Sequence, residues 1–185
     1  MIGTACLVML MVIATITDVR EQKIYNWNTY SGMGLALLIG AVQTWLNVDW
    51  ISDVDFLGSV IGLLSCGSIM LICFVLFQIG GGDVKLLAMV GAFTGPQLGI
   101  EALLWTFVLG GATAMILLIW RIGAATLIQR AIHQLGRRIN RAESDSLTEE
   151  EKNQLSLPLF LAPSALVATL IVRFQLAEQL ALWIE

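Results

Sequence analysis

Two aspartates stand where apolar stretches of the sequence meet polar ones. Asp18 follows the first apolar run, and Asp83 directly follows the tripeptide Gly80-Gly81-Gly82. If the fold brings the two carboxyls to about 4 Å, their repulsion is about 4 kcal/mol at an effective dielectric constant of about 20, so one carboxyl stays protonated while the other is ionised. Such a pair can activate a water molecule and protonate a leaving amine, which is aspartic-protease chemistry.

The residues around the aspartates could shape such a site. Gly80 and Gly82 lack a Cβ, which leaves room for an extended substrate backbone and allows a turn with positive φ that would aim Asp83. Lys85 could bias the pair towards its ionised form, meet an acidic group on the substrate, or be an ordinary cytoplasmic lysine. We expect Asn26 to cap a helix, and a hydrogen bond to the substrate backbone is the alternative.

Other classes of protein could carry the same aspartates. Each acid could simply mark a helix end, with Asp83 next to the amino-terminal dipole of a helix that begins at Val84. In a small transporter or channel, Asp18 and Asp83 would be proton or cation sites and the glycine run a helix break. Against a transporter, both acids are expected at one interface and no half of the sequence repeats. A non-catalytic assembly protein is a third class, but small-residue patterns occur in any polytopic protein.

The composition indicates the environment in which these residues work. Of the 185 residues, 57% are hydrophobic and 13% are charged, against about 25% charged residues in soluble domains. We therefore predict an all-α integral membrane protein with a single domain over residues 1–185. The net charge of −4 argues against a partner nucleic acid. The three cysteines lie in apolar runs without metal-ligand spacing, and no metal or other cofactor is expected.

A membrane-spanning helix needs about 20 mostly apolar residues. Six segments meet this description and predict six transmembrane helices. Turn residues around Thr94-Gly95-Pro96 and Gly99 separate the fourth from the fifth. The predicted spans are 2–17, 29–46, 56–78, 84–100, 102–120 and 158–177.

The basic residues predict how these helices are oriented, because loops rich in Lys and Arg stay in the cytoplasm. Nine of the ten basic residues fall on one side of a six-helix arrangement, and the opposite loops carry only acidic charges. Both termini are therefore predicted to be extracytoplasmic, with Asp18 and Asp83 at the cytoplasmic face. The nine are Arg20, Lys23, Lys85, Arg121, Arg130, Arg137, Arg138, Arg141 and Lys152.

Two charged regions remain outside this pattern. The cytoplasmic loop 121–157 is predicted to contain a basic amphipathic helix on the lipid surface, followed by an acidic flexible stretch. Arg173 is the one basic residue on the outward side, where we expect it to extend towards the interface or to pair with Glu178.

In these motifs the sequence resembles the type IV prepilin peptidases, which are GxGD intramembrane aspartic proteases. Gly80-Gly81-Gly82-Asp83 matches the GxGD signature, and Val84-Lys85-Leu86-Leu87 looks like its usual continuation. Asp18 followed by Ile24-Tyr25-Asn26 resembles the first catalytic motif, an aspartate, five residues and then Ile-Pro-Asn, with Tyr25 in place of the proline. Residues 157–163, Leu-Pro-Leu-Phe-Leu-Ala-Pro, are similar to the proline-bearing start of the final helices in that family.

The resemblance implies a specific activity. Asp18 and Asp83 would be the catalytic residues, and Gly80, Gly82, Lys85 and Asn26 would shape the site or bind substrate. The substrate would be a pilin precursor with a basic leader and an apolar helix, cut at the cytoplasmic face of the bacterial inner membrane during pilus biogenesis. The sequence lacks the CxxC pairs of the larger, methylating members. It therefore resembles the peptidase-only forms that serve tight-adherence (Flp-type) pili. The oligomeric state stays open.

Overall fold

A computed structural model of the chain describes residues 2–46, 52–77, 80–122 and 161–175. Every regular element in these ranges is a helix, which confirms the predicted all-α class. Three helical stretches within them are long and apolar enough to cross a membrane, namely Ile2–Glu21, Phe56–Leu76 and Gly81–Leu117. The helices are α1 (Ile2–Glu21), α2 (Asn26–Leu46), α3 (Phe56–Phe77), α4 (Gly81–Ile122) and α5 (Leu161–Arg173).

The first helix is longer than the apolar run that predicts it. It continues through Asp18 to Glu21, and the chain leaves it at Gln22 with a φ of 53°. The predicted end at residue 17 is therefore wrong. No glycine or proline interrupts this stretch, and Asp18 extends a buried stripe along one face of the helix, so the polar residue continues the packing pattern. The other members of the stripe are Gly3, Leu7, Met11 and Ala14.

The fourth helix reverses direction at Gly95. This residue has φ 79° and ψ 177°, a backbone conformation that glycine adopts without a Cβ clash. Residues 91 and 99 of a straight helix would be about 12 Å apart, yet a Cβ on Gly99 would lie 2.9 Å from Gly91 Cα. The chain on the two sides of Gly95 therefore folds back on itself next to the break, which divides α4 into two arms, 81–94 and 96–122. The turn predicted around Thr94-Gly95-Pro96 is confirmed, but the predicted limits of the two spans, 100 and 102, are wrong, because the reversal is made by Gly95 and Pro96 begins the second arm.

The helices pack closely around α1 and α3. α1 packs against α2 and α5, and α2 packs against α3. α3 meets the first arm of α4 backbone to backbone, because a Cβ on Gly62 would overlap the Gly91 carbonyl oxygen and a Cβ on Gly91 would overlap the Gly62 carbonyl oxygen. Small residues permit this kind of approach between membrane helices. The largest buried apolar side chains include Leu7, Met11, Met70, Leu86, Met89 and Leu103.

Arg173 connects three parts of the chain at the end of the bundle that lies away from Asp18. Its Nε donates to Thr4 Oγ1 at 2.9 Å, and its guanidinium forms an ion pair with Asp53. The start of α1, the α2–α3 connection and the end of α5 therefore meet at one end. The expected partner Glu178 lies outside the described residues, and the partner that the structure gives is Asp53.

The chain comprises two compact units, Met1–Leu109 with Phe160–Glu185, and Gly110–Leu159. Every predicted site residue belongs to the first unit. Of the second unit the structure describes 110–122, the end of α4. The amphipathic helix and the acidic stretch predicted within 121–157 fall beyond these residues and stay predictions.

Candidate active site

Asp18 lies in the last turn of α1 and its side chain is anchored by α5. The residue is 8% exposed, and its Oδ2 accepts a hydrogen bond from the backbone N–H of Ala162 at 3.2 Å. Ala162 is in the first turn of α5, where backbone N–H groups have no partner within their own helix and the dipole favours negative charge. The last helix therefore fixes the position of this carboxylate.

Asp83 lies in the first turn of α4 and is half-buried. Its backbone N–H donates to the Gly80 carbonyl at 3.1 Å. The charge of Asp18 acts on the Asp83 carboxyl, so the two acids lie within electrostatic range of each other. In the part of the chain that the structure describes, no donor hydrogen-bonds the Asp83 carboxyl. The structure thus brings the two predicted acids together, one anchored and the other open to a partner.

The three glycines before Asp83 differ in the space around them. A Cβ on Gly80 would lie 3.0 Å from Asp83 Oδ2, and a Cβ on Gly82 would lie 3.0 Å from Ile24 Cβ. A Cβ on Gly81 would meet nothing closer than a ring carbon at 3.9 Å, which is ordinary contact. Gly80 and Gly82 are therefore the two positions of the three at which a Cβ would press on a neighbouring side chain, in agreement with a G-x-G pattern.

Of the two reasons predicted for these glycines, room for a substrate backbone stays a prediction, and the structure contradicts the turn with positive φ. Gly95 is the one described glycine with a positive φ, so the expected positive-φ turn at Gly80 to Gly82 is wrong. The glycines instead allow close approach: the Asp83 carboxylate folds back over Gly80, and the connection between α1 and α2 packs against Gly82. The turn itself is closed by the Asp83 N–H bond to the Gly80 carbonyl, which needs no left-handed residue.

Lys85 and Asn26 bind each other. Lys85 Nζ donates to Asn26 Oδ1 at 2.8 Å, and it lies 5.0 Å from the centroid of the Tyr30 ring, within cation–π distance. The expected capping role of Asn26 is wrong, because its side-chain oxygen accepts from Lys85 and from none of the described backbone N–H groups. In the first turn of α2, the N–H groups of Asn28 and Thr29 instead contact the Tyr25 carbonyl.

Three groups that contact the predicted site residues are not predicted by the sequence. They are the Ala162 N–H, which holds Asp18, the Ile24 side chain, which packs on Gly82, and the Tyr30 ring beside Lys85. A signal existed for the first, because Pro163 is typical of a helix start and the N–H groups of a membrane helix need an acceptor. Nothing in the sequence says that Asp18 supplies it.

A comparison with protein families gives a match over this part of the chain. A model of the type IV leader peptidase family matches residues 5–115, a range that includes Asp18, Asn26 and the run from Gly80 to Lys85. No curated protein and no solved structure matches the chain. The match covers more than half of the 185 residues and confirms the resemblance drawn from the motifs. The chain therefore belongs to the type IV leader peptidase family.

Proposed function

We propose that this protein is a membrane-embedded aspartic endopeptidase that removes the leader peptide from prepilin-like precursors, with Asp18 and Asp83 as the catalytic pair. The observation that carries the proposal is the approach of these two carboxyls to within electrostatic range, beside two glycines at which a Cβ would press on Asp83 or on Ile24. Membership of a peptidase family favours this function over the transporter that the same aspartates could serve.

The proposed mechanism uses both acids in different protonation states. The ionised carboxylate takes a proton from a water molecule as the water oxygen attacks the carbonyl carbon of the scissile peptide. The protonated carboxyl then donates its proton to the leaving amine nitrogen as the carbon–nitrogen bond breaks. Peptide and water become a carboxylic acid and an amine. The aspartate that was ionised is now protonated, and the one that was protonated is now ionised. Asp18 is held by Ala162, so Asp83 is the member able to adjust to the substrate.

The membrane arrangement that we propose has six spans, both termini extracytoplasmic, and cleavage at the cytoplasmic face of the bacterial inner membrane. With α4 counted as two arms, the described residues contain six helical segments, which supports the six-span arrangement. Asp18 and Asp83 lie at the end that carries Arg20, Lys23 and Lys85, as the positive-inside rule requires of a cytoplasmic site.

The proposed substrate is a pilin precursor with a short basic leader followed by an apolar helix, processed for pilus assembly. The basic leader suits a cytoplasmic location, and the apolar helix suits a site at the membrane interface. The activity is proposed to be peptidase alone, without methylation of the new amino terminus.

A cleavage assay tests the proposal. The protein is co-expressed with a Flp-type pilin precursor, and the amino terminus of the pilin is read by mass spectrometry. We expect the wild type to release the leader, and Asp18→Asn and Asp83→Asn to leave the precursor uncut, with at least about a thousandfold loss of rate. Glu101→Gln is the matched control, because it neutralises an exposed carboxylate elsewhere in the first unit. Normal processing by either asparagine variant, at normal abundance in the membrane, would refute the catalytic pair.

Thiol labelling tests the orientation separately. A cysteine placed at Lys23, in the α1–α2 connection, should react with a membrane-impermeant reagent only in inside-out vesicles. A cysteine at Glu101 should react only in intact spheroplasts. The reverse pattern would place the acids on the outer face and contradict cytoplasmic cleavage.

A further inference from the structure

Two contacts join the start of α2 to the start of α4, and both lie next to the aspartates in the chain. Lys85 Nζ donates to Asn26 Oδ1 at 2.8 Å. The Ile24 side chain lies against Gly82, where a Cβ would be 3.0 Å from Ile24 Cβ. Lys85 is two residues after Asp83, and Asn26 is eight residues after Asp18. The contacts therefore connect the first turn of α4, which carries Asp83, to the chain that follows Asp18.

We infer that the Lys85–Asn26 hydrogen bond, supported by the Ile24–Gly82 contact, is a positioning bridge that sets the separation of the Asp18 and Asp83 carboxyls. The inference rests on the proposed function and adds to it a role for two residues that do not touch the reacting atoms. Lys85 and Asn26 are positioning residues in this view, and the catalytic residues remain the two aspartates.

The two acids differ in how they are held, which is why a bridge is needed. Asp18 is buried and bonded to Ala162. The Asp83 carboxyl receives no hydrogen bond from the described residues, and the first turn of α4 is a helix end that frays easily. The bridge restrains this turn against the connection that follows Asp18. A shift of about 1 Å in a catalytic group can lower the rate by about a hundredfold, so a modest restraint has a large effect on turnover.

The environment of Lys85 favours this role over the three roles that the sequence left open. Its ammonium is directed to the Asn26 oxygen and to the face of the Tyr30 ring. It makes no ion pair with Asp83 among the described residues. Lys85 is half-buried and contacts two residues of α2, whereas Lys23 is exposed and has no hydrogen-bond or ion-pair partner in the described part of the chain. A lysine needed only for its charge would not require these partners.

A double-mutant cycle on kcat and KM tests the bridge. Purified protein in lipid vesicles cleaves a synthetic precursor, and Asn26→Ala, Lys85→Ala and the double variant are compared with wild type. We expect each single variant to lower kcat about tenfold with KM changed less than about twofold, because the bridge acts on geometry and not on binding. The double variant should be no slower than the slower single variant, since one bond is lost in all three.

Two further variants separate positioning from folding. Asn26→Asp keeps an oxygen for Lys85 and adds charge to the bond, so its kcat should stay within about twofold of wild type. Lys23→Ala is the matched control, because it removes an exposed lysine from the same connection, and its kcat should also be unchanged. If an alanine variant fails to accumulate in the membrane, Asn26→Asp and Lys85→Gln replace it. Glutamine keeps an N–H donor on a side chain one bond shorter than that of lysine, so the kcat of Lys85→Gln should fall by less than about tenfold.

Hydrogen exchange gives a readout that needs no enzymatic activity. In nanodiscs, loss of the bridge should speed exchange of the amides of Asn28 and Thr29, which close the first turn of α2 on the Tyr25 carbonyl, by about tenfold. Multiplicative losses in the double variant, or a rise in KM with constant kcat, would overturn the bridge while cleavage by the wild type kept the proposed function. Uncut precursor with the wild type would refute the proposed function, whereas the exchange data would still decide whether the bridge exists.

Discussion

The Asp18 carboxylate, at the end of α1, accepts a hydrogen bond from the backbone N–H of Ala162 at the start of α5, 144 residues later in the chain. A helix end within a bundle of apolar helices needs an acceptor for its free N–H groups, because water is scarce there. Asp18 supplies one. The residue thus has a structural role that is independent of the proteolysis proposed for it, and the two roles can be separated by substitution.

Asp18→Asn and Asp18→Ala should both abolish cleavage but differ in stability. The asparagine keeps an amide oxygen that can accept from Ala162, whereas alanine leaves that N–H without a partner. An unmade bond at a buried donor costs about 1–3 kcal/mol, so Asp18→Ala should be less stable than Asp18→Asn by about that amount. Denaturation in mixed micelles measures the difference. Equal stability of the two variants would mean that the Ala162 bond contributes nothing to the fold.

Gly80→Ala should impair cleavage, and Gly81→Ala should not. A Cβ at residue 80 would press on Asp83 Oδ2 at 3.0 Å, so the carboxylate must rotate away from its position. We expect a loss of kcat of about tenfold or more. Gly81→Ala is the matched control, because its Cβ would make ordinary contact at 3.9 Å, and its kcat should stay within about twofold. The prediction fails if the two variants cleave the precursor equally well.

Gly82→Ala should affect the site by a different route. Its Cβ would lie 3.0 Å from Ile24 Cβ and within 3.6 Å of two further carbons of that side chain. The connection between α1 and α2 must then move by a few tenths of an ångström, with a cost of about 1 kcal/mol or more. A second change, Ile24→Ala, removes the obstacle. Gly82→Ala combined with Ile24→Ala should therefore cleave faster than Gly82→Ala alone, as measured by kcat in lipid vesicles.

The sequence predicts those features of the structure that depend on residues close together in the chain. The helices follow from runs of apolar residues, and the G-x-G-D motif identifies the segment before α4, because both signals lie within a few consecutive residues. The turn residues around Gly95 also indicate the break, although the predicted limits of the two spans, 100 and 102, lie six residues too late. Proline and glycine side by side indicated a turn, but not which of them ends the arm.

Partners that are distant in sequence could not be predicted in this way. The bonds of Asp18 to Ala162, of Lys85 to Asn26 and of Arg173 to Asp53 each depend on the helices being placed side by side. Asn26 shows the limit most clearly. Its residue type and its position at a helix start favour a cap, but α4 packs beside it and provides Lys85 as a hydrogen-bond partner. Local propensity is overruled by tertiary contact at this position.

The Arg173 cluster should contribute to stability and not to cleavage. Its ion pair with Asp53 joins side chains that are 24% and 54% exposed, so water screens it and Arg173→Ala should cost about 0.2–1 kcal/mol for the pair, with a further contribution from the lost bond to Thr4. Because this cluster lies at the end of the bundle away from Asp18, the rate of cleavage per folded molecule should be unchanged. Asp53→Asn is the companion variant, and a loss of kcat in either one would reveal a link between the two ends.

The contact between Gly62 and Gly91 should be the most sensitive packing site in the described part of the bundle. A Cβ on Gly62 would overlap the Gly91 carbonyl oxygen, and backbone atoms cannot rotate away as a side chain can. Gly62→Ala must separate α3 from α4 and should cost about 3 kcal/mol. Gly34→Ala is the matched control, because nothing lies within 4 Å of its Cβ, and it should gain about 0.5–1 kcal/mol from the better helix former. Denaturation in mixed micelles and abundance in the membrane measure the stability of both variants.

The same substitution should also affect cleavage. The first arm of α4 carries Asp83 at its start, so separation of α3 from α4 in Gly62→Ala should lower kcat. A fully active Gly62→Ala protein would show that the backbone contact does not position the site.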